Sequence, residues 1–155
     1  MLTIKVANDV ETVRTVQTLW EEYWKGLGLP REFQGFAEEL RTLPGKYAAP
    51  TGALAIAYVD GFPAGTVALR PLGMDACEVK RLYVRPRFRR RGVGRGLMAW
   101  IIEQARLLGY RTVHGDTLPT MSDAMQMYRE IGFHVMDHPY SNNPTPGAIY
   151  LELRL

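Results

Sequence analysis

Residues 76–97, ACEVKRLYVRPRFRRRGVGRGL, decide how this chain folds. The stretch opens as a strand from about Ala76 to Val84, with Cys77 and Val79 apolar at odd positions but Leu82 and Val84 apolar at even ones. Strand side chains alternate between faces, so a slip of phase near Lys80 and Arg81 predicts one extra, bulged residue that re-aims the rest of the strand. A strand partly buried on both faces is the other way to break the alternation. Beyond a turn at Pro86, the arginines run into Gly92, Gly94 and Gly96. There Val93, Leu97, Trp100, Ile101, Gln104 and Leu108 mark an amphipathic helix that Gly109 ends. Glycine allows a sharp turn and a close backbone approach, and a helix start offers unpaired N–H groups and a positive dipole end, which together make a phosphate cradle. Two familiar cradles are excluded: GxxxxGK[ST] needs Lys-Ser or Lys-Thr, which this chain lacks, and GxGxxG fails at Leu97.

The flanking segments complete an α/β pattern. GALAIAYV and PAGTVALR flank Asp60-Gly61, a strong hairpin signal, and so supply two antiparallel strands before the decisive one. The opening TIKVA reads as a short strand; Asn8 with Glu11 resembles a capping box, and Val10, Val13, Val16, Trp20, Tyr23 and Trp24 keep helical spacing to about Lys25. Between Gly26 and Gly52, an irregular stretch with Pro30, Pro44, Pro50 and a short helix around 35–41 is expected to line or cover a site. Downstream, RTVHGDT reads as a strand, Met121, Ala124, Met125, Tyr128 and Ile131 as a helix closed by Gly132, and FHVM and AIYLELRL as the last strands around YSNNPTPG. The methionines on that helix read as core packing. The expected fold is α/β, one domain over 1–155, with a mixed, mainly antiparallel sheet flanked by helices, a splayed strand and an arginine- and glycine-rich loop.

Composition agrees. A chain of 155 residues, 46% hydrophobic and 23% charged, suits one core that needs no disulfide or structural metal. The lone Cys77 excludes an internal disulfide and reads as a small buried hydrophobe. No run approaches the ~18 apolar residues of a membrane span, and the start lacks the basic-then-apolar design of a secretory signal, so a cytoplasmic protein is expected. The net charge of +3 conceals an asymmetry: residues 80–95 hold eight of the 19 basic residues and no acidic one, leaving 11 basic against 16 acidic elsewhere. One basic block in an acidic body points to a single anionic ligand. A nucleic-acid module is the rival reading, but these arginines surround glycine turns instead of lining a helix face. His114, His134 and His138 form no metal-like constellation, so no metal is expected.

The strand-loop-helix resembles the signature of the GNAT superfamily of N-acetyltransferases, [Q/R]-x-x-G-x-[G/A], read here as Arg89, Arg90, Arg91, Gly92, Val93, Gly94 after a strand ending Leu82, Tyr83, Val84. The family's strand glutamate falls on Glu78, and its Ala-x-x-x-Tyr helix running into Gly-Phe matches Ala124, Tyr128, Gly132 and Phe133. Met121 stands where the family often has Asn. The resemblance implies acetyl-CoA as donor, its phosphates on Arg89 to Arg91 and the loop through Arg95. Its pantetheine arm would lie along 82–84, with a backbone N–H near Tyr83 or Val84 facing the thioester oxygen.

Acetyl transfer to an amine needs two proton movements. An alkylamine of pKa near ~10.4 is about one part in 2,500 neutral at pH 7, so an unassisted nucleophile costs about 4.6 kcal/mol. Glu78, through a water, is the candidate base and Tyr128 the candidate acid for the departing thiolate. The alternatives are an exposed strand residue and a buried core tyrosine. The expected activity is acetyl transfer to a primary amine, small or amino-acid-like, by direct attack in a ternary complex, with a protein N-terminus or lysine as second choice and a noncatalytic acyl-CoA sensor as third. Acceptor specificity is expected from 26–51 and from 138–147, where Tyr140 and Asn143 could reach the site mouth. Arg31, Arg41, Lys46 and Arg70 could meet an acceptor carboxylate or be plain surface charges, and an exposed sheet edge leaves room for a homodimer.

Overall fold

The computed structural model describes residues 1–73, 75–140 and 146–155. The chain forms strand β1 (Leu2–Val6), helices α1 (Val10–Leu27) and α2 (Phe36–Arg41), strands β2 (Ala53–Val59), β3 (Phe62–Pro71) and β4 (Ala76–Val84), and helix α3 (Val93–Leu107). Strand β5 (Thr112–Thr117), helix α4 (Ser122–Ile131) and strands β6 (His134–Val135) and β7 (Ile149–Arg154) complete it. This is the expected order. Among the described residues the strands make a seven-stranded sheet, β1-β2-β3-β4-β5-β7-β6, in which only β4 and β5 pair in parallel.

Alternation along the strands gives the sheet two apolar faces. On β2, Ala55, Ala57 and Val59 join β4 Cys77 and Val79 and α3 Leu97 and Ile101 in one core. Leu54 and Ile56 face the other way into a second core with Trp20, Trp24 and Phe36 of α1 and α2. The hairpin turns at the expected place: Asp60 (φ 51°) and Gly61 (φ 84°) both take the left-handed conformation that such a turn requires.

The start of α1 differs from the expectation. The cap is Asp9, not Asn8: its carboxylate accepts the Thr12 N–H at 2.8 Å, and Thr12, not Glu11, completes the box. An aspartate both accepts that bond and opposes the helix's positive end with a full charge, which neutral Asn8 cannot do.

The slip of phase in β4 is a bulge. Tyr83 stands opposite Thr66 and Lys80 opposite Ala68, so Arg81 and Leu82 share the single residue Val67. Arg81 takes a left-handed φ of 58°, unusual for a side chain of its size. Contacts at both its carbonyl and its guanidinium hold it there. Thr66 Oγ1 donates to the Arg81 carbonyl at 3.1 Å while accepting from Trp20 Nε1 at 3.0 Å, which ties α1 to the bulge. The Arg81 guanidinium makes two hydrogen bonds with Glu39 of α2, at 2.9 and 3.0 Å, and lies 4.6 Å from the Trp24 ring centre.

On its other side, β4 pairs with β5 only through Ala76, Cys77 and Glu78, opposite Thr112, Val113 and His114. Beyond Glu78 the two strands part while β4 continues its ladder with β3 to Val84. The expected splay is therefore present, and it begins just before the bulge.

Candidate active site

The parted strands open into a cleft of about 1130 Å³ that runs from the start of α3, past 79–84, to the ends of β5, α4 and α1. At one end is the cradle. Gly92 caps α3 with a left-handed φ of 79°, and the first intrahelical bond runs from Gly96 N–H to the Gly92 carbonyl at 3.0 Å. The N–H groups of Val93, Gly94 and Arg95 precede that bond and lack helical acceptors. A Cβ on Gly94 would stand 3.7 Å from Val84 and Met127, so the helix start lies close against the strand.

The arginines of the basic block divide by their partners. Arg89 and Arg90 line the cleft, and Arg89 Nε also donates to the Val84 carbonyl at 3.0 Å. Arg95 lines it too but is ion-paired to Glu130. Arg91 is not among the lining residues, and its charge is felt by the Asp60 carboxylate on the hairpin. Arg85 is committed to Glu22 at 2.6 Å, and Arg87 lies over the rings of Phe62 and Phe88. Leu82, Tyr83, Val84, Gly92, Val93 and Gly94 all border the cleft.

At the far end, Tyr128 lines the cleft from α4 and is otherwise buried, packed edge-on against Phe133 at 5.3 Å. Burial raises its hydroxyl well above the ordinary tyrosine range, with the charges of Tyr23 and Asp116 adding to the shift. The group therefore stays protonated, as an acid must before it acts. Among the described residues no hydrogen bond engages that hydroxyl.

Glu78 is buried on the α1 side of the sheet and does not border the cleft. Arg70 Nε donates to its Oε1 at 2.8 Å and the Tyr140 hydroxyl to its Oε2 at 2.5 Å. Tyr140 also packs on His114, ring centres 4.8 Å apart, and burial raises its hydroxyl far above the usual range. Tyr140 thus reaches Glu78, whereas Asn143 lies outside the described residues. Met121 borders the cleft at the start of α4, its sulfur accepting from Thr117 Oγ1 at 3.6 Å. From 26–51, Gly26, Leu27, Leu29, Phe33 and Gln34 reach the lining.

Among the lining residues that the sequence did not mark as site candidates are Tyr23, Asp116 and Lys80. Tyr23 of α1 stacks on Tyr83, ring centres 5.1 Å apart. Asp116 of β5 faces the same space, its carboxyl raised by burial against the opposing pull of Lys80. Lys80 itself borders the cleft, its ammonium held below the ordinary lysine range by burial. An aspartate inside a strand, where that residue is depleted, was the available signal for Asp116. The four cations suggested for an acceptor carboxylate are all paired: Arg31 with Glu21, Arg41 with Glu38, Lys46 with Glu39 and Arg70 with Glu78. Among the described residues no group of three or more His, Cys, Asp or Glu side chains could hold a metal, and no helix is long and apolar enough to cross a membrane.

Known proteins resemble this chain in sequence and in fold. An uncharacterised N-acetyltransferase of Schizosaccharomyces pombe is 34% identical over 154 residues, covering 98% of this chain and 92% of the relative. In fold, the chain superposes on a GNAT-family acetyltransferase from Staphylococcus aureus with a TM-score of 0.84 at 16% identity, 99% of each chain covered. It also superposes on the PaiA N-acetyltransferase of Thermoplasma acidophilum, solved in complex with coenzyme A, with a TM-score of 0.77 at 16% identity, 100% and 99% covered. The family model described as acetyltransferase (GNAT) matches residues 15–133, from within α1 through the bulged strand and cradle to Phe133 after α4; the chain belongs to that family of enzymes.

Proposed function

We propose that the enzyme transfers the acetyl group of acetyl-CoA to the primary amine of a small, amino-acid-like acceptor by direct attack within a ternary complex. The observation that carries this reading is the parting of β4 from β5 directly beside the start of α3. One opening offers an unpaired strand side for an amide-bearing arm, and next to it unpaired helix N–H groups with Arg89 and Arg90 for phosphates. Arg91, Arg95, Gly92, Val93 and Gly94 complete the proposed donor loop.

In the transfer, the amine nitrogen bonds to the thioester carbon and the carbon–sulfur bond breaks. A backbone N–H at Tyr83 or Val84 meets the oxygen as its charge grows. Tyr128 gives its proton to the leaving thiolate. The amine's proton goes to Glu78 through a water and the Tyr140 hydroxyl, which already donates to that carboxylate. The product is an amide and free coenzyme A.

The test is thiol release from acetyl-CoA in the presence of amines and peptides. Release with at least one small amine supports the reading; tight CoA binding with no release for any acceptor would make the protein a sensor instead. Cys77 does not disturb the assay, because burial pushes its thiol up to about 12.

A further inference from the structure

The cations around the acceptor end of the cleft have carboxylate partners, with one exception. Arg70 pairs with Glu78, Arg81 and Lys46 with Glu39, and Arg85 with Glu22. Lys80, among the described residues, has no carboxylate within 4.0 Å; its hydrogen bond goes to the neutral Gln34 Oε1 at 3.3 Å. A largely buried ammonium without a counter-ion is costly, so the fold alone gives no reason to keep it. Asp116 borders the same cleft and likewise has no ion pair among the described residues, although each of the two charges perturbs the other. The cleft thus holds a separated positive and negative group, near but not in contact.

Position along β4 gives this pair its meaning. Lys80 lies two to four residues before 82–84 but, because Arg81 and Leu82 share one partner at the bulge, only one to three ladder steps, or about 3–10 Å at a strand's rise per step, on the side away from the arginine loop. The donor's phosphates belong at the loop end, so Lys80 stands where the acceptor's far side would lie.

We infer that the acceptor is a zwitterion, an α-amino acid whose carboxylate binds Lys80 Nζ and whose amino group faces Asp116. The inference rests on the acetyl-transfer reading above. An amino acid carries a negative and a positive group on one carbon, the complement of the Lys80–Asp116 pair. Acetylation removes the ammonium charge and keeps the carboxylate, so the product loses its attraction to Asp116 and retains only the contact with Lys80. That asymmetry favours release of the product over the substrate.

The experiment compares amino acids with their decarboxylated amines, phenylalanine with phenethylamine and methionine with 3-(methylthio)propylamine, together with short peptides. The wild-type enzyme is expected to prefer the carboxylate-bearing member by roughly 10- to 150-fold in kcat/KM, as a charge-assisted hydrogen bond would give. In Lys80→Met that ratio should fall towards one, and Lys80→Arg should restore part of it. Equal use of both members by the wild type, an unchanged ratio in Lys80→Met, or a preference for peptide N-termini over free amino acids would overturn the inference. If no amine is acetylated, the acetyl-transfer reading fails, and calorimetric titration of CoA-loaded protein with the same amino acids decides the inference separately. Binding that Lys80→Met abolishes supports it, and no binding to the wild type overturns it.

Discussion

Replacing Arg81 by methionine tests whether the bulge is held by a buried ion pair. Arg81 and Glu39 have side chains only 4% and 5% exposed, joined by two hydrogen bonds. Burial alone would raise the Glu39 carboxyl, yet the Arg81 contact carries it below its ordinary value. Arg81→Met leaves that charge with the Tyr47 hydroxyl at 2.6 Å and Lys46 at 3.5 Å. Stranding one member of a buried pair costs about 3–5 kcal/mol, or roughly 6–20 °C in Tm for a chain of this size. Methionine bears the same left-handed strain as arginine, so that contribution cancels.

Glu39→Leu should cost a similar amount by stranding Arg81. The double variant, Arg81→Met with Glu39→Leu, replaces the pair by apolar side chains, an exchange that is often neutral. It should lie within about 1–3 kcal/mol of wild type, the residual being the unpaired Tyr47 hydroxyl. Urea and thermal unfolding followed by circular dichroism measure all four corners of the cycle. A double-variant loss equal to the sum of the single losses, or an Arg81→Met cost under about 1 kcal/mol, would refute the argument.

Tyr128→Phe should lower kcat by about 10²- to 10⁴-fold, the range of one acid–base contribution, while CoA affinity measured by calorimetry stays near wild type; unaltered turnover would remove its acid role. Gly94→Ala should be tolerated, since its Cβ meets only ordinary contacts at 3.7 Å, whereas Gly94→Leu should weaken CoA binding, and equal affinity in both would argue against the cradle. Burial holds His114 below the usual histidine value, so the folded form keeps it neutral while the unfolded chain takes up a proton below about 6.5. Stability from this site is full above that pH and declines as pH falls towards the lower folded value; in His114→Leu the fall over that window should be shallower, as urea titrations at several pH values would show.

Local chemistry made much of this fold legible. The slip between Val79 and Leu82 pointed to the bulge because one extra residue changes strand phase without burying both faces, and Asp60-Gly61 marked the hairpin because few residues accept two successive positive φ values. The helix cap was misplaced by one residue because Asn8 and Asp9 have similar capping preferences, and only the charge of Asp9 separates them. Pairing over long separations stayed hidden. Nothing near Arg81 announces Glu39, 42 positions away, and nothing near Arg70 shows that Glu78 will neutralise it. Lys80 gained its meaning by subtraction, after every neighbouring cation had been matched with a carboxylate.

The short parallel ladder has one more consequence. Past Glu78, β4 keeps β3 on one side but on the other carries a row of peptide groups with no neighbouring strand, which on a sheet's outer rim would invite another protein to add itself. Here that rim lies inside the molecule, with β5 and α4 on one side and α1 on the other. In hydrogen-exchange terms, those amides of 82–84 that face away from β3 should exchange quickly in the free protein and become protected when a donor fills the gap, so that ligand binding completes the sheet.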